Sequence, residues 1–154
     1  MLDITFIIPN NSIVTYQQLS NKYSAIETPT WALLLAESCR KKGFKVNILD
    51  TLAEQLNDEE ALNRIKKQKS KLICFVVYGQ NVNAGTTNMS GATRLSNYLK
   101  KNNYTGLISF VGSHVQALPK ETLEKEKSID FVFLNEGIYA LWNILKLEKI
   151  TEET

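Results

Sequence analysis

The hydrophobic pattern alternates between short β-branched runs and longer segments with helical spacing. Five runs have the length and composition of strands, at residues 4–8, 45–50, 71–77, 106–111 and 130–134. The run at 71–77 is almost continuously apolar, which predicts a central strand covered on both faces. Because each run is followed by a helix-like segment, the order β-α occurs five times. That order predicts parallel strands joined by right-handed crossover helices.

The number and order of these elements predict an α/β fold. We expect a flavodoxin-like (Rossmann-like) three-layer sandwich, with a five-stranded parallel sheet in the order 2-1-3-4-5 and helices on both faces. The length of 154 residues fits one domain, which we assign to residues 1–150, followed by a polar tail at 151–154.

Several residues mark the predicted helix ends. Thr28 is a suitable N-cap, with Pro29 at the first helical position, and Gly43 suits the position after the helix end. Asn57 and Glu60 have the spacing of a capping box. Two other helices have apolar stripes that we expect to pack on the sheet: Ala92, Leu95 and Leu99, and Leu141, Ile144 and Leu145.

Composition and charge exclude several classes of protein. The net charge of +2 is too small to indicate a nucleic-acid partner, and no apolar stretch is long enough to span a membrane. Cys39 and Cys74 each fall within an apolar pattern, so we interpret them as buried thiols. With one histidine and no paired cysteines, no zinc or iron–sulfur spacing is present. The start MLDITFIIPNN lacks a basic region before its apolar run, so we expect a cytoplasmic protein.

Two long segments follow strands at the edge of the sheet where ligands of such folds bind. Residues 9–28 separate the first strand from its helix, and residues 78–89 follow the central strand with a polar, uncharged sequence rich in Asn, Gly and Thr. Loops of this length either carry function or are flexible insertions, and for 78–89 the residues favour neither interpretation over the other.

Common catalytic and phosphate-binding signatures are missing. No Gly-x-Gly-x-x-Gly follows the first strand, and no Gly-Lys-Ser/Thr occurs. The acidic pair of phosphoryl-accepting domains is replaced by Pro9, Asn10 and Asn11. The only histidine, His114, has no candidate nucleophile near it in sequence except Ser113, and sequence neighbours rarely form a working pair. We therefore assign no catalytic residues and no protein metal site, and whether the chain belongs to an enzyme stays open.

The second half of the chain resembles a known family. The stretch ISFVGSHVQALPKETLEKEKSIDFVFLNEGIYALWNIL is similar to the N-terminal cobalamin (vitamin B12)-binding domain of cobalamin-dependent radical S-adenosylmethionine enzymes. Upstream, TPTWALLLAESCRKKGFKVNILD resembles another segment of that domain. The ordered matches extend over residues 1 to about 147. They are Pro29, Leu34, Gly43, Val46, Asp50, Gly112, His114, Pro119, Asp130, Phe131, Val132, Glu136 and Gly137.

The resemblance implies a cobalamin-binding accessory domain of a radical S-adenosylmethionine methyltransferase-type enzyme. Cobalamin would lie at the C-terminal edge of the sheet in the base-off form, with its nucleotide tail displaced from cobalt and buried in the domain. The iron–sulfur cluster and S-adenosylmethionine would belong to a radical domain in the same or a longer chain, because no Cys-x-x-x-Cys-x-x-Cys is present here. The implied cofactor-binding residues are Pro9, Asn10, Asn11, Ser12, Tyr78, Gly79, Gln80, Asn81, Thr86, Thr87, Gly112, Ser113, His114, Glu136 and Gly137.

Individual roles follow from this placement. Gly112 and Ser113 would allow the tail to approach, so replacing Gly112 by tryptophan is expected to abolish cobalamin retention and leave the fold intact. His114 is expected to hold the turn rather than to bind cobalt. Glu136 is expected to cap its own helix. Trp31 and Trp142 occur at the spacing of core residues, so we interpret them as packing residues rather than as residues that stack on a ligand.

The sequence departs from the family pattern at a few positions, which keeps two alternatives open. Val111 replaces a glycine, and its side chain would narrow the approach to a corrin ring, while Asn135 and Ile138 replace a glycine and an acid. The alternatives are flavin or nucleotide binding in the same crevice, and a ligand-free interaction domain that keeps only the fold.

Overall fold

The computed structural model describes residues 1–11, 26–79 and 82–147 of the chain. Within these ranges, five strands alternate with six helices. They are β1 (Leu2–Ile8), α1 (Thr30–Lys41), β2 (Val46–Asp50), α2 (Asp58–Gln68), β3 (Ser70–Val76), α3 (Val82–Lys101), β4 (Leu107–Val111), α4 (Ser113–Ala117), α5 (Pro119–Lys125), β5 (Phe131–Phe133) and α6 (Ile138–Lys146). The strand bounds agree with the predicted ones to within two residues. The predicted tail at 151–154 lies outside the described residues.

The strands form one parallel sheet in the order β2-β1-β3-β4-β5. β1 is paired on both sides: Ile4 lies opposite Val46 of β2 and opposite Leu72 of β3. The predicted flavodoxin-like α/β architecture and its strand order are therefore confirmed.

Two apolar layers cover the sheet, one on each face. The first layer joins α1 and α6 to the sheet, and the second joins α2 and α3 to it. Consecutive residues of β3 alternate between the two layers: Cys74 belongs to the first, and Ile73 and Phe75 belong to the second. β3 is thus the central strand covered on both faces that its apolar sequence predicts. The predicted stripes of α3 and α6 are buried: Ala92, Leu95 and Leu99, and Leu141, Ile144 and Leu145.

The helix ends test the local predictions. The capping box of α2 is present, because the Asn57 side chain accepts from the Glu60 N–H and the Glu60 carboxylate accepts from the Asn57 N–H, both at 2.9 Å. Gly43 follows the end of α1 with a φ of +87°, as predicted. The predicted start of α1 is wrong by one residue. Pro29 has a ψ of 61°, outside the helical region, so it stands at the N-cap and Thr30 is the first helical residue.

Two segments differ from the predicted elements. The segment at 78–89 was expected to be a loop, but α3 begins at Val82 and includes most of it. Asn, Gly and Thr have low helix propensity, and tertiary contacts of the first turns of α3, described below, outweigh that preference. The short helix α4 was not predicted, because five residues are too few to show a helical period.

Candidate functional site

The carboxyl ends of all five strands meet at one edge of the sheet. At this edge the connection from β1 leads to α1 on one face, whereas the connection from β3 leads to α3 on the other face. The two connections diverge between β1 and β3, and the region between these strand ends, called the crevice below, is the position where ligands of such folds bind. Pro9, Asn10 and Asn11 line the β1 side, and Tyr78 and Gly79 line the β3 side.

Asn88 of α3 bridges the two sides of the crevice. The Asn11 amide donates to Asn88 Oδ1, and Asn88 Nδ2 donates to the carbonyl oxygen of Tyr78 at 2.7 Å. Gly91, one turn further along α3, packs on the β1 side so closely that a Cβ there would lie 2.8 Å from the Asn10 carbonyl oxygen. The first half of α3 therefore contacts both the β1 side and the β3 side of the crevice. The sequence prediction missed Asn88, although the residue lies within the polar segment it had singled out.

An ion pair between Arg94 and Asp58 contacts the backbone on the β1 side of the crevice. Arg94 Nε lies 3.2 Å from both carboxylate oxygens of Asp58, and Arg94 Nη2 donates to the Asn10 carbonyl oxygen at 3.0 Å. Asp58 is in the first turn of α2, where a negative charge is favourable. The Asp58 carboxylate balances the guanidinium charge, and Arg94 holds the Asn10 backbone in place. The role of Arg94 was not predicted.

An aromatic pair covers the edge on the α1 and α6 side. The Trp31 ring stacks on the Tyr78 ring with centroids 4.5 Å apart and planes 21° apart, and the Trp31 side chain is 39% exposed. The Tyr78 hydroxyl donates to the Asn135 carbonyl oxygen at 3.0 Å, so the ring reaches from the end of β3 to the loop after β5. Burial, with a smaller effect of the Glu136 charge, raises the pKa of Tyr78, which keeps the hydroxyl protonated as a donor. Trp31 therefore packs against another residue, as predicted, but it does so at the exposed edge of the sheet rather than within the core.

The turn after β4 is packed more tightly than the sequence suggested. A Cβ on Gly112 would lie 3.0 Å from the Val77 Cα and closer still to the Val77 carbonyl group. A side chain at this position would press into the β3 backbone, so the expectation that Gly112→Trp leaves the fold intact is wrong. Ser113 is also in close contact, because a Cβ on Gly85 of α3 would overlap the Ser113 hydroxyl.

His114 lies in the first turn of α4 with a half-buried side chain. Its carbonyl oxygen accepts from the Leu118 N–H at 3.1 Å and ends this short helix. Within the described residues, no group of three or more His, Cys, Asp or Glu side chains could hold a metal ion. The structural role of His114 remains a prediction.

The loop after β5 explains two departures from the family pattern. Asn135 has a φ of +52°, a left-handed conformation that asparagine tolerates better than most residues, so it can stand where the family has glycine. Gly137, with a φ of +71°, is the N-cap of α6, so Glu136 stands one residue before the cap, and capping by Glu136 remains a prediction. A Cβ on Gly137 would lie 3.1 Å from Val111 Cγ2. Val111 is fully buried in the α1 and α6 layer, so its side chain fills the core rather than the crevice.

The remaining predicted residues are either on α3 or outside the described ranges. Thr86 is exposed and Thr87 is half-buried, both on α3, and the Thr87 carbonyl oxygen accepts from the Ser90 hydroxyl at 2.8 Å. Ser12, Gln80 and Asn81 lie outside the described residues. The structure thus brings together the β1 and β3 residues at the crevice, and it sets Gly112 and Ser113 in a packed turn beside it.

The fold defines an open α/β domain, a class in which ligands bind beyond the carboxyl ends of the strands. The sequence matches the family described as the B12 binding domain over residues 19–145, most of the chain. The chain therefore belongs to the B12-binding domain family, and this assignment supports cobalamin as its cofactor.

Two solved structures of one enzyme have a similar fold. Both are of the radical S-adenosylmethionine methyltransferase TsrM from Kitasatospora setae. The structure with a tryptophan substrate and an S-adenosylmethionine analogue bound is 14% identical, with a TM-score of 0.66, over 93% of this chain and 25% of that one. The structure with cobalamin and a [4Fe-4S] cluster bound is 13% identical, with a TM-score of 0.56, over 82% of this chain and 21% of that one. This chain thus spans about a quarter of their length. No curated protein matches the sequence significantly.

Proposed function

We propose that the chain binds cobalamin in the crevice between the β1 and β3 ends, as the cofactor-binding domain of a radical S-adenosylmethionine methyltransferase-type enzyme. The observation that carries the proposal is the uncharged crevice at the divergence of the strand connections, in a chain that belongs to the B12-binding domain family. The similarity of fold to TsrM supports the partnership with a radical domain.

The residues at the edge fit the chemistry of a corrin ring. A corrin has a broad apolar face and carries neutral amide groups around its rim. The edge offers the aromatic surface of Trp31 and Tyr78, together with the side-chain amide of Asn11, which also donates to Asn88. Bound cobalamin would supply methyl transfer or radical chemistry, and the contribution of this chain would be to hold and orient it.

A second requirement concerns the space for the nucleotide tail of cobalamin. A tail that passed the β4 turn would need space at Ser113, where α3 is in close contact through Gly85. Burial of the tail at this turn therefore requires the first turns of α3 to move away from Ser113. Hydrogen–deuterium exchange should detect this motion, because residues 85–89 should exchange faster in the cobalamin-loaded protein than in the cobalamin-free protein. Unchanged exchange in a protein that retains cobalamin would exclude this route for the tail.

We also propose that cobalamin is bound in the base-off form, with its nucleotide tail displaced from cobalt, and that cobalt receives no histidine ligand from this chain in place of the tail. The only histidine of the chain is His114, which lies in α4. His114→Ala should therefore leave the visible spectrum of the bound cofactor unchanged, whereas a spectral shift would contradict the proposal. A cytoplasmic location is part of the proposal, because Cys39 and Cys74 are buried free thiols and suit a reducing compartment. No helix among the described residues is long and apolar enough to cross a membrane.

The direct test is retention of hydroxocobalamin by the purified protein. The protein is mixed with hydroxocobalamin, desalted and examined by visible absorbance, with FMN and ATP tested in parallel. We expect Asn11→Trp, at the carboxyl edge, to reduce retention. The matched control Lys67→Trp, on the last turn of α2 at the opposite edge, should not reduce it. Retention of FMN alone would favour a flavin domain, and retention of none of the three would favour a ligand-free interaction domain.

The partnership is tested separately from cofactor binding. If the gene encodes a radical domain in the same protein, its sequence should contain Cys-x-x-x-Cys-x-x-Cys downstream of the present chain. If that motif is missing, a radical S-adenosylmethionine protein should co-purify with the tagged chain from its native cells. Absence of both the motif and such a partner would contradict the proposed partnership and leave cobalamin binding as a separate result.

A further inference from the structure

The chain has two tryptophans, and the structure places them in different surroundings. Trp142 lies on α6, where the Tyr139 ring packs edge-on against it and the Lys42 ammonium lies 4.5 Å from its ring centre. Trp31 lies in the first turn of α1, at the carboxyl edge, and stacks on Tyr78 while 39% of its surface stays exposed. Only Trp31 is therefore positioned to contact a ligand at this edge.

Both rings of the aromatic pair are attached to ordered parts of the fold. Trp31 is fixed by a helix whose next residues, Ala32 and Leu35, are buried in the core. Tyr78 is fixed by the end of the central strand and by the hydrogen bond to the Asn135 carbonyl oxygen. An exposed aromatic surface that is already ordered loses little conformational entropy when a ligand covers it, which favours binding.

The neighbouring groups indicate what kind of ligand would cover this surface. The carbonyl oxygen of Tyr78 accepts from Asn88, the same residue that accepts from the Asn11 amide in the crevice. Asn88 therefore links the strand end that carries Tyr78 to the uncharged polar residues of the crevice. A flat ring with neutral polar groups on its rim matches both surfaces, because aromatic faces stack well on such rings.

We propose that Trp31, supported by Tyr78, is a cofactor-binding residue whose indole forms a stacking surface for the corrin ring. This inference rests on the proposed cobalamin binding and goes beyond it, because it assigns the contact to a residue that neither the sequence pattern nor the family match identifies. Tyr78 orients the indole, and Asn135 orients Tyr78.

Affinity measurements on three variants test the proposal. Trp31→Ala should weaken hydroxocobalamin binding about tenfold, and Trp31→Phe, which keeps an aromatic face, should weaken it less than about threefold. Leu123→Ala is the matched control, because Leu123 is exposed to nearly the same extent, 40%, but lies on α5. Equal affinity of wild type and Trp31→Ala would overturn the proposal and leave cobalamin binding intact. No binding by the wild type would overturn both.

A second measurement uses the unmodified protein and does not depend on the folding of a variant. Hydroxyl-radical footprinting with mass spectrometry should show that hydroxocobalamin protects Trp31 from oxidation and leaves the oxidation of Trp142 unchanged. Equal oxidation of Trp31 in the free and cobalamin-loaded protein would overturn the proposal, even if Trp31→Ala had lowered the affinity through an indirect effect on Tyr78.

Discussion

Replacement of Gly112 by alanine should destabilise the protein far more than its single methyl group suggests. The added Cβ would lie 3.0 Å from the Val77 Cα and closer still to the Val77 carbonyl carbon and oxygen. These atoms belong to backbone at the end of the central strand, where the Val77 N–H donates to the Val111 carbonyl oxygen at 2.7 Å. Relief of the overlap therefore requires β3 and β4 to separate at that bond. We expect a loss of about 3 kcal/mol in the free energy of unfolding, the upper end of the range for overpacking.

The matched control is Gly43→Ala. Gly43 has a φ of +87°, which an alanine adopts with strain, but a Cβ there would meet nothing within 4 Å. This variant should lose about 1 kcal/mol, from backbone strain without steric overlap. Urea unfolding followed by circular dichroism measures both losses, and the melting temperature should fall by about 6–12 °C for Gly112→Ala and by about 2–4 °C for Gly43→Ala. If Gly112→Ala proved no less stable than Gly43→Ala, the close packing of the β4 turn on β3 would be refuted.

Three other predictions concern stability and reactivity. Asn88→Ala should lower the free energy of unfolding by about 1–2 kcal/mol, because it removes the amide that joins the β1 and β3 loops. The control Asn97→Ala loses a hydrogen bond within α3 and should lower it by less than about 0.5 kcal/mol. Equal losses for the two variants in urea unfolding would contradict the bridging role of Asn88. Burial raises the pKa of Asp50, so its ionisation opposes folding, and the stability this group contributes is present below its unfolded pKa and lost as pH rises through its folded pKa. Asp50→Asn should therefore gain stability relative to wild type as pH rises from about 3 to 7, and a difference independent of pH would contradict this reasoning. Burial raises the pKa of the Cys74 thiol to about 12 and also raises the pKa of the Cys39 thiol. Neither thiol should therefore react with a disulfide reagent at pH 8 while the protein is folded. Rapid reaction of the native protein would contradict this prediction and show that a thiol is accessible.

The sequence by itself determined the architecture. The alternation of apolar runs with helical segments predicted a parallel sheet and its strand order, because a buried strand or an amphipathic helix must show its period in the chain itself. Local chemistry was also readable: the capping box of Asn57 and Glu60 and the glycine at the end of α1 depend on residues only a few positions apart. The order of short motifs was sufficient to indicate the family.

Only the tertiary structure decided which side chains meet at the carboxyl edge. Trp31 and Tyr78 are 47 positions apart (78 − 31), and no local pattern distinguishes a stacked, half-exposed indole from one buried in the core. The helical form of residues 82–89 and the bridging role of Asn88 likewise depend on contacts with the β1 loop and the β4 turn, which outweigh weak helix propensity. Gly112 is a second example of what the sequence could not predict. The sequence indicated a turn that is open to a ligand, whereas in the structure the backbone at the end of β3 packs against this turn. A local pattern reports the periodicity of one segment, whereas a binding surface is made by segments that meet only after the sheet has formed.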